Sequence, residues 1–578
     1  MKRVGFIALA GEPSRLSALL STIYPNRLTS PRLNRVLDCP DLIVFAAPET
    51  PILPLDEQRG LIIGRMFNRD DSRPRERLTV SQGRHAAWSG GRTLLAESWG
   101  QYVALLRDEG AVTVLRDPSA GVPAHHFRRD DVDIFFSDPE LGQEFGVHSR
   151  PIDEDFLRQW LSFPFLRSSR TGLIGVTEIL PGTARTLRAG GVGDAALWTP
   201  WQHATGGPQN FDEAARQVRV CLLATVPAQL RTGEPPILEL SGGLDSSIVA
   251  ACLGTAGLPF LAANFVTRMA DGDERDYAGA VAEALGAPFQ TLEEDDLPLD
   301  LDPPGTFRLR PPLSPVLQPL HRAFRGMAQC ARAGTFATGA GGDNLFCYLT
   351  TASPALDAYR DRGPRQGLST LFDIAARAEC TIWTAAAFAL RKRRSLARRS
   401  AWQRNARFLA ENALAGLPDP HPWLDAPPDS RPGKIEHVAS LVRAFHFLDP
   451  DPAAPQDCIH PLLNQPLMEL CLGIPTWLWV KGGRDRAVAR AAFAGLLPEK
   501  ILNRRTKGRL ESMCARAYDD NKGRLSSLLL DGALAARGLL DLSELRAYLE
   551  APERARGDAY FRVFDLVSLE LWLRSLAR

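Results

Sequence analysis

A run of seven residues between two apolar segments carries the strongest chemical signal in the sequence. It reads Ser-Gly-Gly-Leu-Asp-Ser-Ser from Ser241 to Ser247 and follows the apolar run Ile237–Leu240. The glycines let backbone N–H groups come close to a ligand, and the positive end of the following helix points at the same place. Because Asp245 would repel a bare phosphate, a Mg²⁺ ion between them is expected. The sequence therefore predicts a polyphosphate site formed by Leu240, Ser241, Gly242, Gly243, Asp245, Ser246 and Ser247.

The elements that must position this loop alternate between strand and helix. The strand Ile237–Leu240 precedes the loop, and an apolar helix from about Ser246 to Ala256 follows it. A second strand, Phe260–Val266, and a second helix, from about Glu274 to Leu285, continue the alternation. This pattern predicts a parallel sheet with covering helices, and the chain from about Arg360 onward is mostly helical.

Residues 1 to 205 have a different pattern. They contain short strands separated by turns, with runs at Leu42–Ala46, Leu94–Ser98, Tyr102–Leu106, Val112–Leu115 and Ile134–Phe136. The polar stretch Trp201–Asn210 is interpreted as a linker, and Phe211–Arg231 as an amphipathic helix. Because 578 residues exceed what one core accommodates, we expect two domains, residues 1–205 and residues 206–578.

Composition excludes several classes of protein. The formal net charge is +1, so no overall field favours nucleic acid or a membrane surface. No apolar stretch is long and charge-free enough to span a bilayer, and Gly11 interrupts the N-terminal apolar run too early for a signal peptide. The nine cysteines form no C-x-x-C pair, which favours reduced thiols in a cytoplasmic protein. The basic run Arg391–Arg399 is typical of a solvated helix face, and contact with a partner stays open.

The first loop resembles that of the ATP-pyrophosphatase superfamily, which reads Ser-Gly-Gly-x-Asp-Ser. The alternative G-x-x-x-x-G-K-[ST] phosphate loop occurs nowhere in the chain. Members of this superfamily cut ATP between its α- and β-phosphates and hold the departing pyrophosphate. The resemblance implies ATP and Mg²⁺ as cofactors, with Asp245 on the metal and the strand end at Val266 near the adenine.

A second glycine-rich loop, Phe336–Phe346, resembles the Ser-Gly-Glu-Gly-x-Asp-Glu loop of asparagine synthetases. Gly339, Gly341 and Asp343 match that loop residue by residue. The resemblance implies that Asp343 is the second carboxylate on Mg²⁺ and that Thr338, Gly339 and Gly341 border the nucleotide. Two carboxylates with phosphate oxygens are a normal magnesium shell.

Ala340 stands where the asparagine synthetase loop has a glutamate. Any proton transfer that this glutamate performs must be carried out by another group in this chain. The candidates are Asp373 and Glu379. A dedicated base is also dispensable, because an α-amine is partly neutral near neutral pH.

A third segment resembles the C-terminal element of the same family. It comprises Lys481–Arg490, a Leu-Pro turn and Arg504–Gly508. The matched lysine is Lys507, whose compact charge suits the negative charge of an acyl-adenylate and of the tetrahedral intermediate. Arg486 and Lys500 are interpreted as residues on solvated helix faces.

The first half resembles the glutaminase domain of asparagine synthetases. Arg116–Pro118 with Gly121, and Leu180–Thr183, match turns of that domain. A working domain of this type uses a cysteine immediately after the initiator Met, but this chain has Lys2 there, and its first cysteine is Cys39. Without that thiol we expect no release of ammonia from glutamine.

Together these resemblances imply an α/β protein with two unlike halves. The first is a degenerate class II glutamine amidotransferase-like (Ntn-type) α+β domain. The second is an adenine-nucleotide hydrolase-like synthetase domain with a parallel sheet and many helices. The implied activity is that of a carbon–nitrogen ligase that forms AMP and pyrophosphate.

The amine must then come from a source other than glutamine. The stretches Gly341–Leu349, Ser353–Asp357 and Gly482–Arg486 resemble those of lasso-peptide cyclases, which join a peptide's N-terminal amine to an Asp or Glu side chain. This resemblance implies a core-peptide substrate, with a leader-recognition protein and a leader peptidase as partners. Two alternatives stay open. One is another ligase of this fold, either β-lactam synthetase-like or an ammonia-dependent asparagine synthetase; the other is an inactive peptide-binding scaffold.

Overall fold

The computed structural model describes residues 5–23, 33–189, 191–231, 233–269, 272–295, 297–331, 335–395, 402–448, 458–505, 511–552, 557 and 559–577. Within these ranges, no helix has both the length and the apolar character needed to cross a membrane.

Two antiparallel sheets form the N-terminal region. Their strands are β1 (Phe6–Ala10), β2 (Asn34–Asp38), β3 (Leu42–Ala46), β4 (Ile52–Pro54), β5 (Gly60–Asn68), β6 (Ser98–Asp108), β7 (Ala111–Arg116), β8 (His125–Arg129), β9 (Val132–Phe136), β10 (Thr177–Glu178), β11 (Thr183–Arg188) and β12 (Gly191–Ala196). The six-stranded orders are β10-β8-β9-β1-β3-β2 and β12-β11-β7-β6-β5-β4. The helices of this region are α1 (Pro13–Ile23), α2 (Val80–Trp88), α3 (Arg92–Glu97), α4 (Pro139–Gln143) and α5 (Glu154–Ser162).

The two sheets pack face to face, and each has a second covered face. Val44 of the first sheet and Ile63 of the second belong to one buried cluster between them. The other face of the first sheet packs on α1 through Leu16. Because β1 is covered on both faces, all five of its residues are apolar and buried.

A five-stranded parallel sheet forms the centre of the C-terminal region. Its strands are β13 (Ile237–Glu239), β14 (Leu261–Val266), β15 (Phe289–Glu293), β16 (Phe336–Ala337) and β17 (Cys458–Ile459). The order is β15-β14-β13-β16-β17, with every pair parallel. Since β13 lies between β14 and β16, the loops after these three strands emerge at one edge of the sheet.

Helices cover this sheet and make up most of the rest of the chain. They are α6 (Phe211–Leu230), α7 (Leu244–Thr255), α8 (Arg275–Leu285), α9 (Gln318–Ala331), α10 (Gly342–Leu345), α11 (Ser353–Arg362), α12 (Pro364–Arg377), α13 (Ile382–Ser395), α14 (Pro432–Ala444), α15 (Gln465–Gly473), α16 (Ala487–Ala492), α17 (Glu499–Leu502), α18 (Glu511–Leu530), α19 (Ala533–Ala536), α20 (Leu542–Glu550) and α21 (Tyr560–Leu576). The predicted fold class, α/β with a strand-rich first half and a parallel sheet in the second, is confirmed.

One sequence prediction was wrong in this part of the molecule. The run Leu94–Ser98, predicted as a strand, lies mostly in helix α3. A short apolar run has too little periodicity to separate a helical turn from a strand. In the predicted linker Trp201–Asn210, the Trp201 indole donates to the Trp423 carbonyl oxygen at 2.8 Å, and all ten residues are half-buried or exposed. The proposed boundary at residue 205 stays a prediction.

Candidate active site

The first glycine loop connects β13 to α7 at the carboxyl edge of the parallel sheet. Gly242 has a φ of +70°, and a Cβ there would lie 2.6 Å from the Cβ of Tyr277, so its conformation and its packing on α8 both require glycine. The Ser247 hydroxyl donates to the Gly243 carbonyl oxygen at 2.7 Å and fixes the entry to the helix. Asp245 lies in the first turn of α7, and its carboxylate points out of the loop toward the second glycine loop.

Two further contacts shape this loop. The hydroxyl oxygens of Ser241 and Ser246 lie 3.2 Å apart. Asn264, buried on β14, donates its side-chain amide to the Leu240 carbonyl oxygen at 2.8 Å. Asn264 was not among the predicted site residues, although an amide within an apolar strand is a visible signal. Val266 ends the same strand beside the loop, and its contact with adenine stays a prediction.

The second glycine loop packs directly on the first. A Cβ on Gly339 would lie 2.5 Å from the Ser246 backbone nitrogen, and a Cβ on Gly342 would lie 2.4 Å from the Asp245 carboxyl carbon. Gly341 begins helix α10 with a φ of +84°. The two loops therefore approach so closely that only glycine fits between them.

Asp245 and Asp343, the two predicted metal ligands, both contact one cationic group. Nη1 of Arg486 is 3.0 Å from Asp245 Oδ2 and 2.5 Å from Asp343 Oδ1. The Arg486 side chain is 11% exposed. Burial by itself lowers the pKa of Arg486, but these two carboxylates and Asp485 raise it above its ordinary value.

The sequence interpretation of Arg486 as a solvated side chain was wrong. Two neighbours hold it in place: Asp485 accepts from Arg486 Nε at 3.0 Å, and Arg490 fixes Asp485 at 2.8 Å. Arg490 itself donates to the Leu502 carbonyl oxygen at 2.9 Å. No pattern in the sequence indicated this burial, because it depends on α16 packing against loops more than a hundred residues away. Lys500, by contrast, is exposed as the sequence interpretation expected, although its ammonium lies 5.6 Å from the Tyr277 ring centroid.

The C-terminal segment also contacts the first glycine loop from its other side. Arg504 donates to the Gly242 carbonyl oxygen at 3.2 Å, pairs with Glu274 at 2.6 Å and stacks 3.9 Å from the Tyr277 ring centroid. Sequence analysis assigned no role to this arginine. Lys507, the predicted catalytic lysine, lies outside the described residues, and its role stays a prediction.

The two candidate bases occupy different surroundings. Asp373 accepts a hydrogen bond from the Gly482 backbone N–H at 3.1 Å. Partial burial raises the pKa of Asp373, although that N–H and the one of Gly483 oppose the shift. Glu379 is 80% exposed and lies 3.8 Å from Arg505. Neither lines the cavity at Ala340, and the role of each as a base stays a prediction.

The two carboxylates fit a magnesium ion. Both lie within hydrogen-bond distance of a single nitrogen, so one small cation at that point would be in reach of Asp245 and Asp343 together. Carboxylate oxygens supplemented by phosphate oxygens are the ligand type that Mg²⁺ takes. Phosphates would approach from the first loop, whose glycines and serines lie beside Asp245.

A cavity of about 480 Å³ lies between the N-terminal sheets and the parallel sheet. Thr338, Ala340 and His460 line it on the side of the parallel sheet, and Gly121 and Pro181 line it on the other. Thr338 Oγ1 lies 2.8 Å from His460 Nδ1, and burial lowers the pKa of His460 to about 4. The cavity therefore reaches the second glycine loop at the position of the missing glutamate.

A buried ionic cluster forms the wall of this cavity. Glu178 is fully buried and contacts Arg116 at 2.6 Å, Arg167 at 2.7 Å and Arg310 at 3.2 Å. Burial by itself raises the pKa of Glu178, but the three guanidinium groups bring it well below its ordinary value. Arg310 comes from the C-terminal half and Arg116 from the N-terminal half, so the cluster joins the two.

Comparison with known proteins identifies the family. The asparagine synthase family profile matches residues 217–574. No curated protein matches the chain. Among solved structures, it is similar to a glutamine phosphoribosylpyrophosphate amidotransferase from B. subtilis complexed with ADP and GMP (11% identity, 58% of this chain and 81% of that one, TM-score 0.21). It is also similar to an allosteric regulatory enzyme of purine biosynthesis (11%, 58% and 68%, TM-score 0.19), and at such scores neither match supports an argument. The family match spans more than half of the sequence, and the chain belongs to the asparagine synthase family of ATP-dependent amide ligases.

Proposed function

We infer that this ligase closes a macrolactam in a peptide, in the manner of lasso-peptide biosynthesis. In the first step, an Asp or Glu side-chain carboxylate of the peptide attacks the α-phosphorus of ATP and releases pyrophosphate. In the second, the peptide's N-terminal amine attacks the acyl carbon, AMP leaves, and the amine loses a proton. The product is an amide bond between two parts of one chain.

The residues of the chain divide this work. The first glycine loop would bind the polyphosphate, and Asp245 and Asp343 would hold Mg²⁺, which neutralises phosphate charge when bound. The buried site would exclude water, so that the activated acid meets the amine before it hydrolyses. Because amine and acyl group belong to one peptide, positioning is expected to supply much of the rate enhancement.

The observation that carries this proposal is the cavity of about 480 Å³ beside Ala340. Pockets of roughly 300–1,000 Å³ hold drug-sized ligands, which is far more space than ammonia needs. The expectation that no ammonia comes from glutamine supports the same view, since Lys2 stands where the resembled glutaminase domains have their cysteine. A peptide substrate that brings its own amine would make use of a cavity of this size and would need no ammonia.

The experiment combines purified protein, MgATP and synthetic linear peptides with an acidic residue at varied distances from a free N-terminus. The proposal predicts AMP, pyrophosphate and a product lighter than the peptide by one water. An N-terminally acetylated peptide is the matched control, since it offers the carboxylate without the amine and should yield no cyclic product.

Three other outcomes would contradict the proposal and identify the rival. Asparagine formed from free aspartate and ammonia would indicate an ammonia-dependent synthetase. Ring closure of small β-amino acids alone would indicate a β-lactam synthetase-like enzyme. The absence of pyrophosphate release with every substrate would favour a peptide-binding scaffold. The leader-recognition protein and leader peptidase stay proposed partners, to be tested by co-purification with this chain.

A further inference from the structure

A single nitrogen of Arg486 contacts the carboxylates of both Asp245 and Asp343. The distances are 3.0 Å to Asp245 Oδ2, 3.2 Å to Asp245 Oδ1 and 2.5 Å to Asp343 Oδ1. The guanidinium thus lies at the point that both proposed metal ligands face. A magnesium ion held by both carboxylates would need the same point, so the ion and the guanidinium cannot occupy it at the same time.

The backbone of Arg486 is held at the N-terminus of helix α16, and its guanidinium contacts three carboxylates. The Arg486 backbone is left-handed, with a φ of +49°, where helix α16 begins. Asp485 binds Nε, and the Tyr348 ring lies 5.3 Å from the guanidinium carbon. Because the guanidinium is planar and moves as one unit, a change of partner needs rotation of the side chain and release of the Nε contact with Asp485, to which Arg490 stays bound.

Charge balance indicates what the new partner would be. Without a nucleotide, the guanidinium offsets two carboxylates that would otherwise repel each other at close range. With Mg²⁺ on those carboxylates, the positive charge of Arg486 needs another anion in the same buried space. The polyphosphate on the first glycine loop, next to Asp245, is the anion that the site brings there, and a guanidinium binds phosphate through paired hydrogen bonds.

We propose that Arg486 is a phosphate-binding residue that first holds Asp245 and Asp343 together and then binds the nucleotide's polyphosphate once Mg²⁺ has taken its place. This inference rests on the proposed nucleotide site but is independent of the acyl substrate. Arg486 then has two successive partners, the carboxylates and the polyphosphate, and it stays bound to the pyrophosphate that leaves.

The test is calorimetric binding to the intact protein and to Arg486→Gln, with two probes. For Mg²⁺ without nucleotide, Arg486→Gln is expected to bind about tenfold more tightly than wild type, because the competing guanidinium is gone. For magnesium pyrophosphate, the same variant is expected to bind about tenfold more weakly, because a phosphate partner is lost. Arg484→Gln, an exposed arginine two residues earlier, is the matched control and should change neither affinity.

Opposite shifts for the two probes support the inference, and unchanged affinities in Arg486→Gln overturn it. If Arg486→Gln does not fold, the same substitution in the Asp343→Asn background removes one negative charge along with the positive one. The double variant is then expected to bind pyrophosphate about tenfold more weakly than Asp343→Asn alone, and equal binding overturns the inference. If wild type binds neither MgATP nor magnesium pyrophosphate, the nucleotide site itself is wrong.

Discussion

Gly342 faces Asp245 so closely that a Cβ on the glycine would lie 2.4 Å from the carboxyl carbon of the aspartate. No real Cβ contact is that short, so one of the two loops would have to shift. The relationship fixes how the second glycine loop sits on the first. It thereby fixes the distance between Asp245 and Asp343, on which the proposed metal site depends.

Replacing Gly342 by alanine is expected to weaken nucleotide binding strongly while the protein stays folded. The added methyl would push the Asp245 side chain away from Asp343, and loss of the groups that orient metal ligands typically lowers metal affinity or activity by about 10–100-fold. MgATP affinity and circular dichroism would be measured together. Gly326→Ala is the control: an added Cβ has no neighbour within 4 Å there, and alanine in an exposed helix is expected to stabilise by about 1 kcal/mol. MgATP affinity at the wild-type level in Gly342→Ala would show that the loop contact is not needed.

The buried cluster around Glu178 predicts a large loss of stability on charge removal. Glu178→Gln keeps the size of the side chain but leaves the guanidinium groups of Arg116, Arg167 and Arg310 without their carboxylate. Breaking a buried ion pair typically costs about 3–5 kcal/mol. Asp38→Asn, which breaks the exposed pair with Arg35, should cost at most about 1 kcal/mol. Thermal unfolding of both variants tests this, and equal Tm values would contradict it.

The buried His460 should make the stability difference between wild type and His460→Gln depend on pH. Burial lowers the pKa of this histidine from its ordinary 6.5 to about 4 in the folded protein. Between these values the unfolded chain takes up a proton that the folded chain does not, so wild type loses stability as the pH falls. At pH 5 the loss from this residue is about 2 kcal/mol.

The measurement is the Tm of wild type and of His460→Gln from pH 7 to pH 5. The variant lacks the titrating group, so the gap between the two Tm values should move in favour of the variant as the pH falls. A gap that stays constant for His460→Gln would show that its imidazole titrates normally in the folded state.

Local sequence was enough to predict the elements that carry the first loop. The apolar run before Ser241 and the helix after it form β13 and α7, because strand, turn and helix each depend on neighbouring residues. Glycine spacing also located the second loop at Gly339–Gly342. Both loops then meet because parallel strands bring their carboxyl ends to one edge.

Contacts between residues far apart in the chain could not be predicted from local sequence. Arg486 looked like a surface residue within a basic segment, yet it contacts Asp245, 241 residues earlier in the chain. The cluster of Glu178 with Arg310 likewise needs two distant segments to be brought together. The residue pattern of neither segment indicates its distant partner, so these residues can be identified only in the folded structure.

The most direct test of the central claim is ATP–pyrophosphate exchange with a linear acidic peptide. We expect label exchange that requires both Mg²⁺ and the peptide, persists with the N-terminally acetylated peptide, and is lost in Asp245→Asn. ATP cleavage to ADP and phosphate, or peptide-dependent exchange at an undiminished rate in Asp245→Asn, would contradict it.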